Sequence, residues 1–337
     1  MSLEKLARAA LFRLDAETAH AATINSWKRF PRLSGRLFRV CESQPVRCMG
    51  LSFRNPVGVA AGLDKNGECI RALAGMGFGF VEVGTVTPRP QTGNPRPRMF
   101  RLPEYESVIN RLGFNNKGVD YLCRQVARAP RDCIIGINIG KNADTPNDQA
   151  ERDYLHCLDK VYPLADYVTI NISSPNTRDL RALQEAEPLR RLIGAICGRR
   201  DQLATLQDRR VPLALKVAPD LDDTQRSALA SVLNESDIDA VIATNTTIQR
   251  DSVAGHPLAG EAGGLSGRAL QGLAQAQFVA LRAALRPDLP MIGVGGICDG
   301  PAARERFAAG AELVQVYTGF VYRGPALLAE AIAAARD

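Results

Sequence analysis

No apolar run approaches the roughly 18 residues a membrane-spanning helix needs, so no transmembrane helix is expected. The N-terminus has neither a continuous apolar core nor a small-residue cleavage site, and it does not read as a secretory signal. The eight cysteines, at 41, 48, 69, 123, 133, 157, 197 and 298, all stand singly. None forms C-x-x-C and no group has zinc or iron–sulfur spacing, so no metal is expected. Several lie in apolar runs, where they serve as small core residues, and a reducing cytoplasm fits them best. No G-x-G-x-x-G follows a strand-like run, which argues against a tightly held dinucleotide. Net charge is also nearly missing from most of the chain. Residues 1–40 carry eight basic and three acidic side chains, and so hold five of the six net positive charges. A nucleic-acid-binding scaffold needs basic and aromatic residues spread over a face, and the near-neutral body offers no such face.

What remains is apolar enough for a large core, at 45% hydrophobic and 23% charged over 337 residues. Residues 3–14 read as an amphipathic helix with Leu3, Leu6, Ala7, Ala10, Leu11 and Leu14 on one face. Asp15 suits an N-cap for a second helix over 16–28, which carries the only tryptophan, Trp27, beside Lys28 and Arg29. An apolar face with a tryptophan and a basic rim suits a helix pair lying on an anionic membrane surface. Phe30–Val40 reads as a basic linker.

From Val46 a hairpin turning at Gly50 is expected, then eight short apolar strands, each with a polar or glycine-rich end. They are placed at Val57–Ala61, Phe78–Val83, Ile134–Asn138, Tyr167–Asn171, Leu213–Val217, Ala240–Thr244, Met291–Val294 and Leu313–Tyr317. Helical segments fall between them, which predicts an α/β fold, a (β/α)8 barrel with a small N-terminal helical extension. Two connections are long, 85–132 and 245–268, and long loops after barrel strands carry function. The strand ends converge on one rim: Ala61, Gly62, Asp64 and Lys65; Thr85; Asn138; Asn171 to Thr177; Lys216; Thr244 to Thr246; Gly295 and Gly296; Tyr317 and Thr318. Glycines after strands seven and eight, with Gly267, let backbone N–H groups approach a phosphate. Lys216 ends a buried strand and needs a partner or a purpose. A mononucleotide such as FMN fits one phosphate site plus polar groups for a flat ring. Paired carboxamides suit a planar imide or urea, and Lys65 suits a carboxylate.

Five motifs then act together: Ala60-Ala-Gly-Leu-Asp-Lys65, Val83-Gly-Thr-Val-Thr-Pro-Arg-Pro90, Pro97-Arg-Met-Phe-Arg-Leu102, Ile109-Asn-Arg-Leu-Gly-Phe-Asn-Asn116 and Asn171-Ile-Ser-Ser-Pro-Asn-Thr177. They resemble the dihydroorotate dehydrogenases, in particular the quinone-linked, membrane-associated class 2, over nearly the whole chain. The resemblance implies FMN bound by Ala61, Gly62, Lys65, Thr85, Asn138, Asn171, Lys216, Thr244, Gly267, Gly296, Tyr317 and Thr318. It implies dihydroorotate bound by Lys65, Asn110, Arg111, Leu112, Gly113, Phe114, Asn171, Asn176, Asn245 and Thr246. Ser174 matches the catalytic base, Thr177 and Phe114 a proton relay, and His20, Arg101 and Tyr317 the quinone contacts. Class 1 relatives, which use fumarate or an NAD-linked partner, carry cysteine where Ser174 stands and lack the N-terminal helices. The implied organisation is a membrane and quinone-access module over 1–40 and a catalytic barrel over 41–337. The chain is then expected to be a monomer, peripheral on the cytoplasmic face of the membrane.

Overall fold

A computed structural model describes residues 3–37, 39–40 and 43–336, with the side chains of 3–6 and 37 outside the description. The expected contribution of Leu3 and Leu6 to an apolar face, and Cys41, therefore lie outside the described residues.

The barrel strands are β1 (Val57–Val59), β2 (Phe80–Val86), β3 (Ile134–Ile139), β4 (Tyr167–Asn171), β5 (Leu213–Val217), β6 (Ala240–Ala243), β7 (Met291–Val294) and β8 (Leu313–Val316). They pair in parallel in chain order, and β8 closes on β1. Nearly every strand residue is buried, as expected of parallel strands covered by helices outside and packed side chains within. The expected ends hold within a few residues. The largest difference is β2, which runs on to Val86, so Gly84 and Thr85 lie within the strand rather than after it.

Inside the barrel, large and small residues interlock. A Cβ on Gly58 would fall 2.4 Å from the Phe80 ring, and one on Gly136 would fall 2.2 Å from Tyr167. The antiparallel hairpin Val46–Cys48 and Leu51–Phe53 plugs the barrel bottom, with Phe53 edge-on to Phe80 at 5.3 Å. The barrel is thus a filled core open only at the strand C-termini.

The two long connections come together. Met99–Leu102, Ser107–Asn110 and Gly264–Gly267 form one antiparallel sheet, with Ser107–Asn110 in the middle. Leu102, Ile109, Val253 and Leu265 give it a small core of its own. This sheet carries Asn110 to the barrel mouth.

Helix α1 (Leu3–Leu11) ends three residues earlier than its periodicity implies, and residues 12–14 form a turn. Helix α2 (Ala16–Arg29) begins as expected, with the Asp15 carboxylate accepting from the Glu17 and Thr18 backbone N–H groups at 3.0 Å. The linker expected over Phe30–Val40 is instead mostly helix, α3 (Pro31–Leu37). Proline is tolerated at a first helical position, and the small Ser34–Gly35 pair lets the backbone approach helix α4 (Ile70–Met76). A Cβ on Gly35 would lie 3.0 Å from the Gly75 Cα, so the two helices touch glycine to glycine. Trp27 packs toward Phe320, 6.4 Å between rings, and Phe320 lies edge-on to Phe78.

Candidate active site

A cavity of about 140 Å³ opens at the strand C-termini. Its wall contains Ala61, Gly62, Lys65, Thr85, Asn110, Leu112, Gly113, Phe114, Asn171, Ser174, Asn176, Lys216, Thr244, Asn245, Thr246, Gly267, Gly296, Tyr317 and Thr318. Residues from every part of the chain past position 60 thus meet at one mouth. Three of the expected residues do not line it. Asn138 lies one layer deeper, fully buried. Thr177 is buried behind the mouth, and its hydroxyl has no hydrogen-bond partner among the described residues. Arg111 turns away, pairing with Glu261 at 2.6 Å and covering the Phe100 ring.

The carboxamides form two connected sets. Asn176 Nδ2 donates to Asn110 Oδ1 at 3.1 Å, tying β4's exit to the insert sheet. Asn171 Nδ2 donates to Thr85 Oγ1 at 2.9 Å and Asn138 Oδ1 at 3.2 Å. Asn245 Nδ2 donates to Ser173 Oγ at 3.0 Å. Among the described residues, the buried Asn176 Oδ1 atom has no hydrogen-bond partner. The Ser174 hydroxyl sits between these sets and accepts from the Asn176 backbone N–H at 3.2 Å. Phe114 stands at φ 53°, a costly conformation for a residue with a Cβ, and Asn116 Nδ2 holds its carbonyl at 2.7 Å.

Lys216 is buried and has no hydrogen-bond partner among the described residues. Burial pushes its pKa below the lysine range, partly offset by the charge of Glu82. Lys65 is pushed down to about 8, first by burial and then by Arg98, against the opposing charges of Glu17 and Asp64. Burial holds the Tyr317 phenol well above its usual range, and its oxygen has no partner among the described residues. At Gly295 and Gly296, φ is 96° and 75°. A Cβ on Gly296 would lie 2.2 Å from the Gln271 Cα, and one on Gly267 would lie 2.3 Å from the Glu106 carbonyl oxygen. Glycine is therefore required at these two positions, both of which line the mouth.

A second cavity, of about 830 Å³, lies under the N-terminal helices. Ala10, Leu11, Phe12, Trp27, Met76 and Phe320 are among its walls, so it is largely apolar. His20 and Arg101 stand here and not at the mouth. Arg101 caps the end of α1 through the Leu11 and Leu14 carbonyls and covers the Phe12 ring. Burial pushes His20 down to about 3, helped by the charge of Lys65, so the imidazole is neutral. The two cavities share Asn110, Ser266, Tyr317 and Thr318 as a common wall.

Sequence reasoning missed the charges beneath this surface. Glu82 stands fully buried in the barrel, and Glu17 of α2 clasps Arg98 at 2.7 Å. A lone glutamate inside the apolar run Phe80–Val83 was the available signal for the first. For the second there was none, because the partners are 81 positions apart.

Fold and mouth describe a (β/α)8 barrel with a polar cavity at its strand C-termini, where barrel enzymes carry their active sites. A family model described as dihydroorotate dehydrogenase matches residues 44–334. The chain is 55% identical over 332 residues to the dihydroorotate dehydrogenase (quinone) of Vibrio cholerae, covering 98% of this chain and 99% of the relative. It is 56% identical over 339 residues to that of Burkholderia pseudomallei, covering 99% and 98%. Among solved structures, DHODH from Eimeria tenella in complex with ferulenol superposes with a TM-score of 0.87 at 38% identity, over 95% of this chain and 90% of that one. This chain belongs to the dihydroorotate dehydrogenase family. Membership implies a flavin, and the residues present fit one: glycines at the mouth that tolerate no Cβ, and a buried lysine and a buried phenol that have no hydrogen-bond partner among the described residues.

Proposed function

We propose that the chain oxidises dihydroorotate to orotate at the barrel mouth and passes the electrons to a membrane quinone from the cavity under its N-terminal helices. The shared wall carries this reading. One small cavity lined by amides and one large apolar cavity meet at Asn110, Ser266, Tyr317 and Thr318. That arrangement suits two half-reactions whose substrates differ in polarity.

The flavin is FMN, because the mouth offers a single phosphate cradle and the chain no dinucleotide fingerprint. Gly267, Gly295 and Gly296 would hold its phosphate, and Ala61, Gly62, Thr85, Asn171, Lys216, Thr244, Tyr317 and Thr318 its remaining groups. FMN, when bound, supplies the acceptor for the hydride that leaves C6 of dihydroorotate. Ser174 Oγ takes the proton from C5. Asn110, Asn171, Asn176 and Asn245 hold the planar amide groups, with the Asn176 Oδ1 atom receiving a ring N–H. Lys65 faces the carboxylate. Lys216 offers a fixed positive charge where negative charge develops, in a site that excludes water. Phe114 closes the mouth, and the Thr177 hydroxyl passes on the proton taken by Ser174.

Residues 1–40 act as a module that docks on the membrane and admits quinone past His20 and Arg101. Leu14, Phe30 and Leu33 are 44%, 51% and 54% exposed beside Arg13, Lys28, Arg29 and Arg32. Apolar side chains with a basic rim bind an anionic surface. The chain works there as a peripheral monomer on the cytoplasmic face.

Anaerobic stopped flow tests the assignment of the base. Ser174→Ala should retain FMN and bind orotate, yet reduce the flavin about 100-fold more slowly or worse. Near-normal reduction would remove Ser174 from the mechanism.

A further inference from the structure

We propose that Glu82, in the barrel interior below the mouth, is a positioning residue that sets the direction of Asn171 and Asn245, two of the substrate-facing asparagines. The inference rests on the dihydroorotate reading of the mouth.

A carboxylate oxygen accepts hydrogen bonds. Glu82 receives three, from Asn138 Nδ2 at 2.8 Å, the Tyr167 hydroxyl at 2.9 Å and Gln315 Nε2 at 2.7 Å. Asn138 must therefore turn its amide nitrogen down and its oxygen up. That oxygen accepts from the Thr85 hydroxyl at 2.6 Å and from Asn171 Nδ2 at 3.2 Å. Thr85, having donated, accepts from Asn171 Nδ2 at 2.9 Å. Asn171 thus presents its oxygen to Ser173 Oγ at 3.2 Å and to Asn245 Nδ2 at 3.4 Å. Asn245 in turn directs its own oxygen to the Thr246 backbone N–H at 2.8 Å. Each amide is fixed because its predecessor is, and the first is fixed by the carboxylate. Glu82 and Asn138 are fully buried, and Thr85 and Asn171 nearly so, so a reversed amide would set donor against donor out of water's reach. The charge of Glu82 also partly offsets the effect of burial on Lys216.

A plain structural plug would need only the bonds to Tyr167 and Gln315. Redox titration of the bound flavin and titration of its absorbance with orotate separate the two roles. Glu82→Gln should weaken orotate by about tenfold or more, the effect of one mis-set buried hydrogen bond. It should also raise the flavin potential by about 30 mV, a tenfold change in a two-electron equilibrium, because a nearby negative charge is gone. Tyr167→Phe, which leaves the carboxylate and Asn138 in place, should alter neither. The pair Glu82→Gln with Gln315→Glu, which moves the carboxylate across its own hydrogen bond, should restore orotate affinity. If Glu82→Gln yields no folded protein, Asn138→Leu cuts the chain one link nearer the mouth. It should then weaken orotate by a similar factor while the potential stays. Orotate affinity unchanged in the folded variant, or an equal loss in Tyr167→Phe, overturns the proposal. A wild-type protein whose flavin spectrum ignores orotate overturns the dihydroorotate reading and this proposal with it.

Discussion

The Glu17–Arg98 clasp is one of the joints between the N-terminal helices and the rest of the chain, and Glu17→Gln tests it. Arg98 forks onto Glu17 with Nε–Oε2 at 3.1 Å and Nη2–Oε1 at 2.7 Å. Its other nitrogen, Nη1, holds the Thr92 and Asn94 carbonyls at 2.6 and 2.7 Å. The two side chains are 7% and 15% exposed, so solvent screens the pair little. The exposed Arg96, also on Glu17, adds almost nothing. Glutamine keeps the shape and one acceptor but removes the charge. One charge-assisted bond contributes about 1.5–3 kcal/mol, and breaking a fully buried pair costs about 3–5 kcal/mol. Glu17 keeps 15% of its side chain exposed, so the lower end applies, about 2–3 kcal/mol. At about 1.4 kcal/mol per decade, that moves the docking equilibrium of α2 by about 30- to 100-fold.

The assay is amide hydrogen exchange. Protection over 16–29 should fall by about that factor, while the β4 amides keep theirs. Trp27, the only tryptophan, lies on α2 and reports docking by its fluorescence. The hydrogen bond from Arg98 holds the Glu17 carboxyl below its usual range. Its contribution is therefore complete above the unfolded glutamate pKa and is lost as pH falls through the folded one. The wild type should show an acid transition in Trp27 fluorescence below about pH 4.5, and Glu17→Gln should lack it. Equal exchange over 16–29 in the two proteins would refute the reasoning.

The remaining expectations concern the mouth and the membrane. Gly296→Ala places a Cβ 2.2 Å from the Gln271 Cα at φ 75°, so strain of about 1–3 kcal/mol should weaken flavin binding about ten- to a hundredfold; undiminished flavin content after gel filtration would place the phosphate elsewhere. Lys65 deprotonates near pH 8, so dihydroorotate affinity should fall up to about tenfold per unit above that value, and Glu17→Gln should move the midpoint down. A flat titration from about pH 7 to 10 would separate Lys65 from the carboxylate. Removal of residues 1–40 should leave flavin reduction intact, raise KM for a long-tailed quinone and release the protein from anionic vesicles; normal turnover of that quinone by the truncated protein would contradict the access role.

Most of the barrel was legible because each of its strands is buried on both faces and bounded by turn residues. The run Tyr167–Asn171, apolar at Val168 and Ile170 and polar at Asn171, signals strand and rim together. The same logic gathers residues as distant as Ala61, Lys216 and Thr318 at one mouth, since barrel geometry alone brings strand C-termini together. The helix within 30–40 was not legible, because Pro31, Ser34 and Gly35 are poor helix formers by propensity. Their small size is what α4 requires, and that requirement exists only once the two helices meet at Gly35 and Gly75.

Pairing of buried polar groups is the part that a sequence does not display. Arg111 stands in a motif of mouth residues, yet its partner is Glu261, from the other long connection. The two loops read as separate functional insertions, whereas their strands share one sheet through Asn110 and Gly264. Glu82 presents the sharper case. In the run Phe80–Val83 it breaks an apolar pattern, which marks it as costly but not as connected. Its meaning lies in Asn138, Tyr167 and Gln315, which stand 56, 85 and 233 positions away. Side-chain identity placed the amides at the mouth. For Asn171 and Asn245, the direction of hydrogen bonding that starts from this carboxylate decides which of their ends a substrate meets.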